Sequence, residues 1–209
     1  MDRTIGLKIN SLSFLKGAAV DKETPKNILR AIAGESMARN KYTFFASQAK
    51  KDGFEQIAAI FEETADNEKE HAKRLMKLLK SVDQNAKSTL ENYDFAIVDT
   101  TTKNLEHAAA GENYEYTTMY PTFMKKAEEE GETEAASVFK EIGEVEEKHE
   151  ERYLQLKKNV DEGKVFKKDE EVEWKCRNCG YIHKGKEAPA LCPACAHPQA
   201  FYEVRSINY

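Results

Sequence analysis

Two Glu-x-x-His pairs, Glu68–His71 and Glu146–His149, are the residues of this sequence most able to do chemistry. At i and i+3 the two side chains of each pair lie on one face of a helix, so both reach the same point. Glu35 and the pair Glu112 and Glu115 join them, because all seven interrupt apolar stripes of helical period. Glu35 falls three residues after Ile32 and seven before Tyr42, and Glu68 and His71 fill the gap between Thr64 and Leu75. Glu112 and Glu115 lie between Ala108 and Met119, and Glu146 and His149 between Ile142 and Tyr153.

Five ionised carboxylates cannot share a dry interior without compensation, since an unpaired buried carboxylate costs several kcal/mol or takes up a proton. The stripes offer no matching cluster of lysines or arginines. Two divalent cations would bring four positive charges against five negative. Glutamate oxygen with histidine nitrogen, inside a helical bundle, is the ligand set of carboxylate-bridged di-iron or di-manganese sites. One such pair would be a weak signal in a chain so rich in glutamate, where Glu62, Glu63 and Glu128 to Glu130 read as solvated surface. Four stripes interrupted in register are a strong one. Tyr42 follows Glu35 by two turns and Tyr120 follows Glu115 by five residues, so their hydroxyls are expected to hydrogen-bond the metal-binding carboxylates. His107, His183 and His197 have no such context and are expected to be exposed or merely packed.

A second constellation stands apart. All four cysteines, Cys176, Cys179, Cys192 and Cys195, form two matching knuckles with twelve residues between the inner pair. Four thiolates at this spacing make a tetrahedral sulfur site that suits zinc or iron, and on spacing alone zinc is favoured. Their confinement to one short stretch reads as a metal site, not a disulfide framework.

The elements that must position these residues follow from the same stripes. Residues 1–23 read as an extended lead-in. Thr24-Pro25 is a helix start, with a hydroxyl cap before a proline, and Gly53 closes the first helix. A second helix is expected over about 54–80, a crossover over 81–99, a third helix over about 100–130 kinked at Pro121, and a fourth over about 132–162. Four helices with one apolar face each bury those faces together as a four-helix bundle over 24–162. A charged linker is expected over 163–173. Residues 174–209 are rich in turns and too few to hold themselves together by apolar burial, so the four cysteines and their metal act as a staple.

A bundle of this kind followed by such a tail resembles the rubrerythrin family. The resemblance runs from about residue 24 to the end. It rests on Ala33-Gly34-Glu35-Ser36, Glu68-x-x-His71, Gly111-Glu112-x-x-Glu115 leading to Met119-Tyr120-Pro121, Glu146-x-x-His149 and the two knuckles. It implies an all-α ferritin-like bundle with one long crossover between its second and third helices, plus a small rubredoxin-like β/loop domain. Glu35, Glu68, His71, Glu112, Glu115, Glu146 and His149 would then hold a di-iron pair, with one iron exchanging between Glu115 and His71 as its redox state changes. Cys176, Cys179, Cys192 and Cys195 would hold a third iron, with zinc a substitute that fits either site.

The implied activity is reduction of hydrogen peroxide to water in oxidative-stress defence. Electrons would come through the four-cysteine iron from an NAD(P)H-linked reductase or a rubredoxin. About 13 residues of helix separate His149 from the tail, roughly 20 Å at about 1.5 Å per residue. A homodimer is therefore expected, with the tail of one chain near the bundle of the other. Two rival readings remain open: a ferroxidase or iron-handling protein, and a non-enzymatic electron carrier or redox sensor.

The composition agrees with a helix-rich chain: 209 residues, 33% charged, 40% apolar and few glycines or prolines. A net charge of −5 without a basic stripe argues against nucleic acid. No apolar run approaches the roughly 20 residues of a membrane span. Met1 to Lys16 lacks the features of a secretory signal, so a cytoplasmic location is expected.

Overall fold

The computed structural model describes residues 22–208 apart from Asn92 and Asp94, so most of the expected lead-in lies outside the described residues. Helix α1 (Thr24–Lys51) and helix α2 (Glu55–Asp83) pack along their length as a hairpin. Gly53, at φ +84°, makes the turn: its N–H donates to the carbonyl of Lys50, and that of Phe54 to Ala49. Gly131, at φ +77°, ends the third helical segment in the same way. Only glycine takes this left-handed conformation without strain, which is why both positions could be read as helix ends.

The described residues of the stretch 84–100 cross over without regular structure. The third helix is not the single α-helix expected. It runs as α3 (Thr101–Tyr114), a π-helical turn (Glu115–Met119) and α4 (Tyr120–Glu129). The π turn carries an i→i+5 bond from the N–H of Tyr120 to the carbonyl of Glu115. Pro121 then falls in the first turn of α4, where its missing N–H is least costly. Helix α5 (Thr133–Asp161) completes the four-helix bundle.

Two further expectations are corrected at one place. Thr24 is not the cap of α1 but its first residue. The cap comes from Glu130, expected to be solvated. Its carboxylate accepts from the backbone N–H groups of Glu23 and Thr24 (2.9 Å each) and from the Thr24 hydroxyl (2.7 Å).

The apolar interior of the bundle is in two parts. One cluster gathers Ala38, Tyr42, Phe45, Phe61, Ala65, Ala109 and Tyr153, and the other Ile28, Ala31, Leu75, Met119, Phe139 and Ile142. On every helix the inward acids fall between residues of the first cluster and residues of the second.

After α5, strand β1 (Lys167–Cys176) begins inside the stretch read as linker, and pairs antiparallel with β2 (Ile182–Glu187) and β3 (Tyr202–Val204) in the order β2-β1-β3. The core of this tail is Trp174, Cys176, Ala188, Cys192 and Tyr202, and the Trp174 indole donates to the carbonyl of Gly185. The tail rests on the α1–α2 turn, where Phe166 stacks on Phe54 at 6.0 Å between ring centroids.

Candidate metal centres

The layer between the two apolar clusters is built from side chains of every helix in the bundle. Glu35 comes from α1, Glu68 and His71 from α2, Glu112 from α3, and Glu146 and His149 from α5. Glu35, Glu68, Glu112, Glu146 and His149 are buried, and His71 is mostly so. Two overlapping groups form: Glu35, Glu68, His71 and Glu146; and Glu68, Glu112, Glu146 and His149. In each, one polar atom per residue lies within 4.8 Å of all the others.

The close approaches converge on two points. His71 Nδ1 lies 2.9 Å from both Glu68 Oε2 and Glu146 Oε1, and 3.6 Å from Glu35 Oε2. His149 Nδ1 lies 2.7 Å from Glu146 Oε2, 3.3 Å from Glu68 Oε1 and 3.8 Å from Glu112 Oε1. Two tyrosines hold carboxylates from outside: the Tyr120 hydroxyl donates to Glu35 Oε1, the oxygen turned away from His71, and the Tyr42 hydroxyl donates to Glu112 Oε1, the oxygen nearest His149. Glu115 is brought into neither group. It starts the π turn, and its Oε1 lies 3.9 Å from the place a Cβ on Gly34 would take.

The electrostatics show the conflict that the sequence implied. Burial, and then the charge of Glu146, push Glu35 up to about 8. Burial and the charge of Glu68 push Glu112 well above the usual range. Glu68 goes the other way, to about 2, because the two imidazoles overcome its desolvation. Burial opposes a charge on His149, yet Glu146 and Glu68 outweigh it and raise the group to about 9. His71 is raised further by Glu146, Glu35 and Glu68.

Of these approaches, only that of His71 Nδ1 to Glu68 Oε2 is a hydrogen bond. Among the described residues, Glu35 Oε2, Glu68 Oε1, both oxygens of Glu146 and His149 Nδ1 are buried without a hydrogen-bond partner, although other polar atoms stand 2.7 to 3.6 Å away. Buried polar atoms normally find partners. Lone pairs aimed at a common point are what metal ions satisfy, so the residues present fit a pair of cations, one at each group.

The tail repeats the logic with sulfur. All four cysteines are free thiols, with Cys176 Sγ 3.8 Å from Cys195 Sγ and Cys179 Sγ 3.7 Å from Cys192 Sγ. A tetrahedron of metal–sulfur bonds of about 2.3 Å has edges of about 3.8 Å, so the thiols already stand at the corners of a site. Each knuckle closes on a left-handed residue, Gly180 at φ +80° and Ala196 at φ +56°.

A family model described as rubrerythrin matches residues 26–157. The chain belongs to the rubrerythrin family. A second model, for the rubredoxin-like domain of rubrerythrin, matches residues 174–203. The rubrerythrin of Porphyromonas gingivalis is 52% identical over 187 residues, covering 90% of this chain and 92% of that protein. That of Nitratidesulfovibrio vulgaris is 52% identical over 95% of this chain and all of its own. A nigerythrin structure in its fully reduced, all-ferrous state aligns with a TM-score of 0.59 at 34% identity, covering 95% of this chain and 100% of that one. The rubrerythrin architecture is thus present in full: a ferritin-like bundle with a carboxylate–histidine site, one long crossover, and a rubredoxin-like domain with a four-cysteine site.

Spacing had pointed to every residue of both groups. It had not pointed to Gly34, Lys41 or Tyr93, which line a cavity of about 660 Å³ beside Glu115. The one available signal was a glycine in the middle of a long helix. No helix among the described residues is long and apolar enough to cross a membrane.

Proposed function

We propose that this rubrerythrin-family chain is an oxidoreductase that reduces hydrogen peroxide to water, and that its two sites divide the task. The observation that carries the reading is the pairing itself: a two-centre carboxylate–histidine site in the same chain as a four-thiolate site suited to one-electron transfer. Glu35, Glu68, His71, Glu112, Glu146 and His149, with Glu115 adjacent, would hold two irons. Cys176, Cys179, Cys192 and Cys195 would hold a third, with zinc a competitor at either site. Bound there, the iron pair would supply Lewis acidity and the two electrons of H2O2 + 2H+ + 2e− → 2H2O.

The protein contributes position and protons. Tyr42 and Tyr120 fix the orientation of Glu112 and Glu35. Glu115, at the solvent side and outside both groups, is free to exchange with His71 as a ligand. The two apolar clusters keep water from the flanks of the site. A relative, nigerythrin, has been solved in partially reduced, mixed-valence and all-ferrous states, which accords with redox work at such sites.

Electrons would arrive singly at the tail from an NAD(P)H-linked reductase or a rubredoxin. Within one chain the path is long. The tail packs at the α1–α2 turn, and Lys51 is 16 residues along α1 from Glu35, about 24 Å. Delivery across a homodimer, tail to partner bundle, shortens it. We place the reaction in the cytoplasm as part of peroxide defence.

The test is a single-turnover experiment. Reduced, iron-loaded protein mixed anaerobically with hydrogen peroxide should consume one peroxide per bundle and bleach no faster with oxygen than with peroxide. Iron accumulating beyond three per chain, with slow peroxide consumption, would instead mark an iron-handling protein. Full turnover by a strict monomer in sedimentation would rule out delivery across a dimer.

A further inference from the structure

Beside the acid layer lies a cavity of about 660 Å³, lined by α1, α3, the π turn and the crossover. Its mouth opens to solvent past the exposed Tyr93, Phe95 and Tyr114, and its inner end reaches Glu115. Its lining is mixed: Met37, Ala38, Met119 and Phe123 share it with Arg30, Lys41, Glu91 and His107. The crossover is tied to α1 here, because the Tyr93 hydroxyl donates to the carbonyl of Arg30 (3.1 Å).

At the inner end stands Gly34, buried in the middle of α1. Glycine is the weakest helix former apart from proline, so its presence one residue before Glu35 runs against the local preference. No close approach of backbones requires it. A Cβ built at Gly34 would meet only the Tyr93 hydroxyl at 3.8 Å and Glu115 Oε1 at 3.9 Å, which is ordinary contact. Alanine would fit. A longer side chain would extend between Tyr93 and Glu115, into the throat of the cavity. What the glycine preserves is therefore open space beside Glu115, one residue along α1 from Glu35.

We propose that this cavity is the route by which a peroxide-sized oxidant reaches the carboxylate–histidine site, and that Gly34 sets the width of its inner end. The proposal rests on the function argued above. Size follows from the geometry: a throat bounded by one tyrosine hydroxyl and one carboxylate passes hydrogen peroxide or a small anion and retards a hydroperoxide with a bulky alkyl group. Lys41 and Arg30 give the cavity cationic groups, Glu91 and His107 also line it, and Glu115 adjoins it next to the acid layer.

The probe is azide on the iron-loaded protein, followed by its charge-transfer absorption in stopped flow, with G34A and G34L. A narrowed route slows arrival and departure together. G34L should lower the azide association and dissociation rates at least tenfold each, with Kd within twofold of wild type and iron content unchanged. G34A should fall between. Oxidation of the reduced protein by hydrogen peroxide should slow in proportion to azide association.

Unchanged azide rates in G34L would overturn the route. So would a change in Kd as large as the change in association rate, which would make Gly34 part of the site's shape. If azide slows as expected but wild type fails to reduce peroxide, the route stands and the peroxidase reading falls. Krypton-pressurised crystals give a readout without chemistry: an atom between Gly34 and Tyr93 in wild type, displaced in G34L. No krypton in the wild-type cavity would equally overturn the proposal.

Discussion

Glu68 and Glu146 face one another across the bundle, and each turns one carboxylate oxygen toward His71 and the other toward His149. Glu68 does so at 2.9 and 3.3 Å, and Glu146 at 2.9 and 2.7 Å. They are the two residues common to both clusters, whereas Glu35 belongs to one and Glu112 to the other. Removing a shared residue should therefore empty both positions. We expect Glu146→Ala and Glu68→Ala to lose both bundle metals while keeping the tail metal, and Glu35→Ala or Glu112→Ala to lose one preferentially. Metal content per chain by atomic emission checks this, and equal losses in all four variants would contradict it.

The tyrosines that hydrogen-bond Glu112 and Glu35 make a separate expectation. Tyr42→Phe and Tyr120→Phe each strand a buried carboxylate oxygen, at about 1–3 kcal/mol for the apoprotein. They should also weaken metal binding about 10–100-fold, because the carboxylates lose their orientation. Thermal melts with and without chelator, and competition titrations, would read the two effects separately.

Glu130 should govern acid stability at the start of α1. Burial alone would raise it, but the N–H groups of Glu23 and Thr24 and the Thr24 hydroxyl prevail and hold it down at about 2. Its folded value lies below its ordinary 4.5, so the contribution is complete above about pH 4.5 and is lost as pH falls through about 2. Glu130→Ala should destabilise the bundle by about 0.5–2 kcal/mol at neutral pH. The difference from wild type should shrink toward pH 2 in denaturant melts. A gap that stayed constant with pH would refute the capping role.

The two knuckles differ at matched positions, with glycine after Cys179 and alanine after Cys195, both left-handed. An alanine there carries strain of roughly 1 kcal/mol. Ala196→Gly should stabilise the tail by up to about 1 kcal/mol, and Gly180→Ala should destabilise it comparably. No atom stands within 4 Å of a Cβ on Gly180, so backbone strain alone is tested there. Hydrogen exchange of β1 amides, with metal in place, would register both.

The acid layer was legible because a helical stripe makes a misplaced polar residue conspicuous: Glu35 or Glu146 stands where leucine belongs. The cysteine knuckles were legible from spacing. Glu115 was harder, because a π turn changes backbone bonding without a residue signature of its own. Its position inside a stripe therefore did not reveal that it would stand outside both clusters. Glu130 was hidden by Glu128 and Glu129, since three successive glutamates look like surface until a partner 106 residues away supplies the donors. The early part of β1 was hidden for a related reason. Lys167 to Glu171 is charged on both faces of the strand, so no alternation marks it. The cavity beside Gly34 belongs to the packing of distant segments, and no local pattern encodes a void.

Because charge divides the bundle's interior into two greasy halves, its weakest point when stripped of metal is the waist. Most helices fray from their tips inward. Here both ends are clamped by dense packing, and it is the girdle of carboxylates at mid-height that repels itself apart. Loosening would begin at the centre of each rod and spread outward, so loading with cations acts on this protein as a belt fastened around its middle.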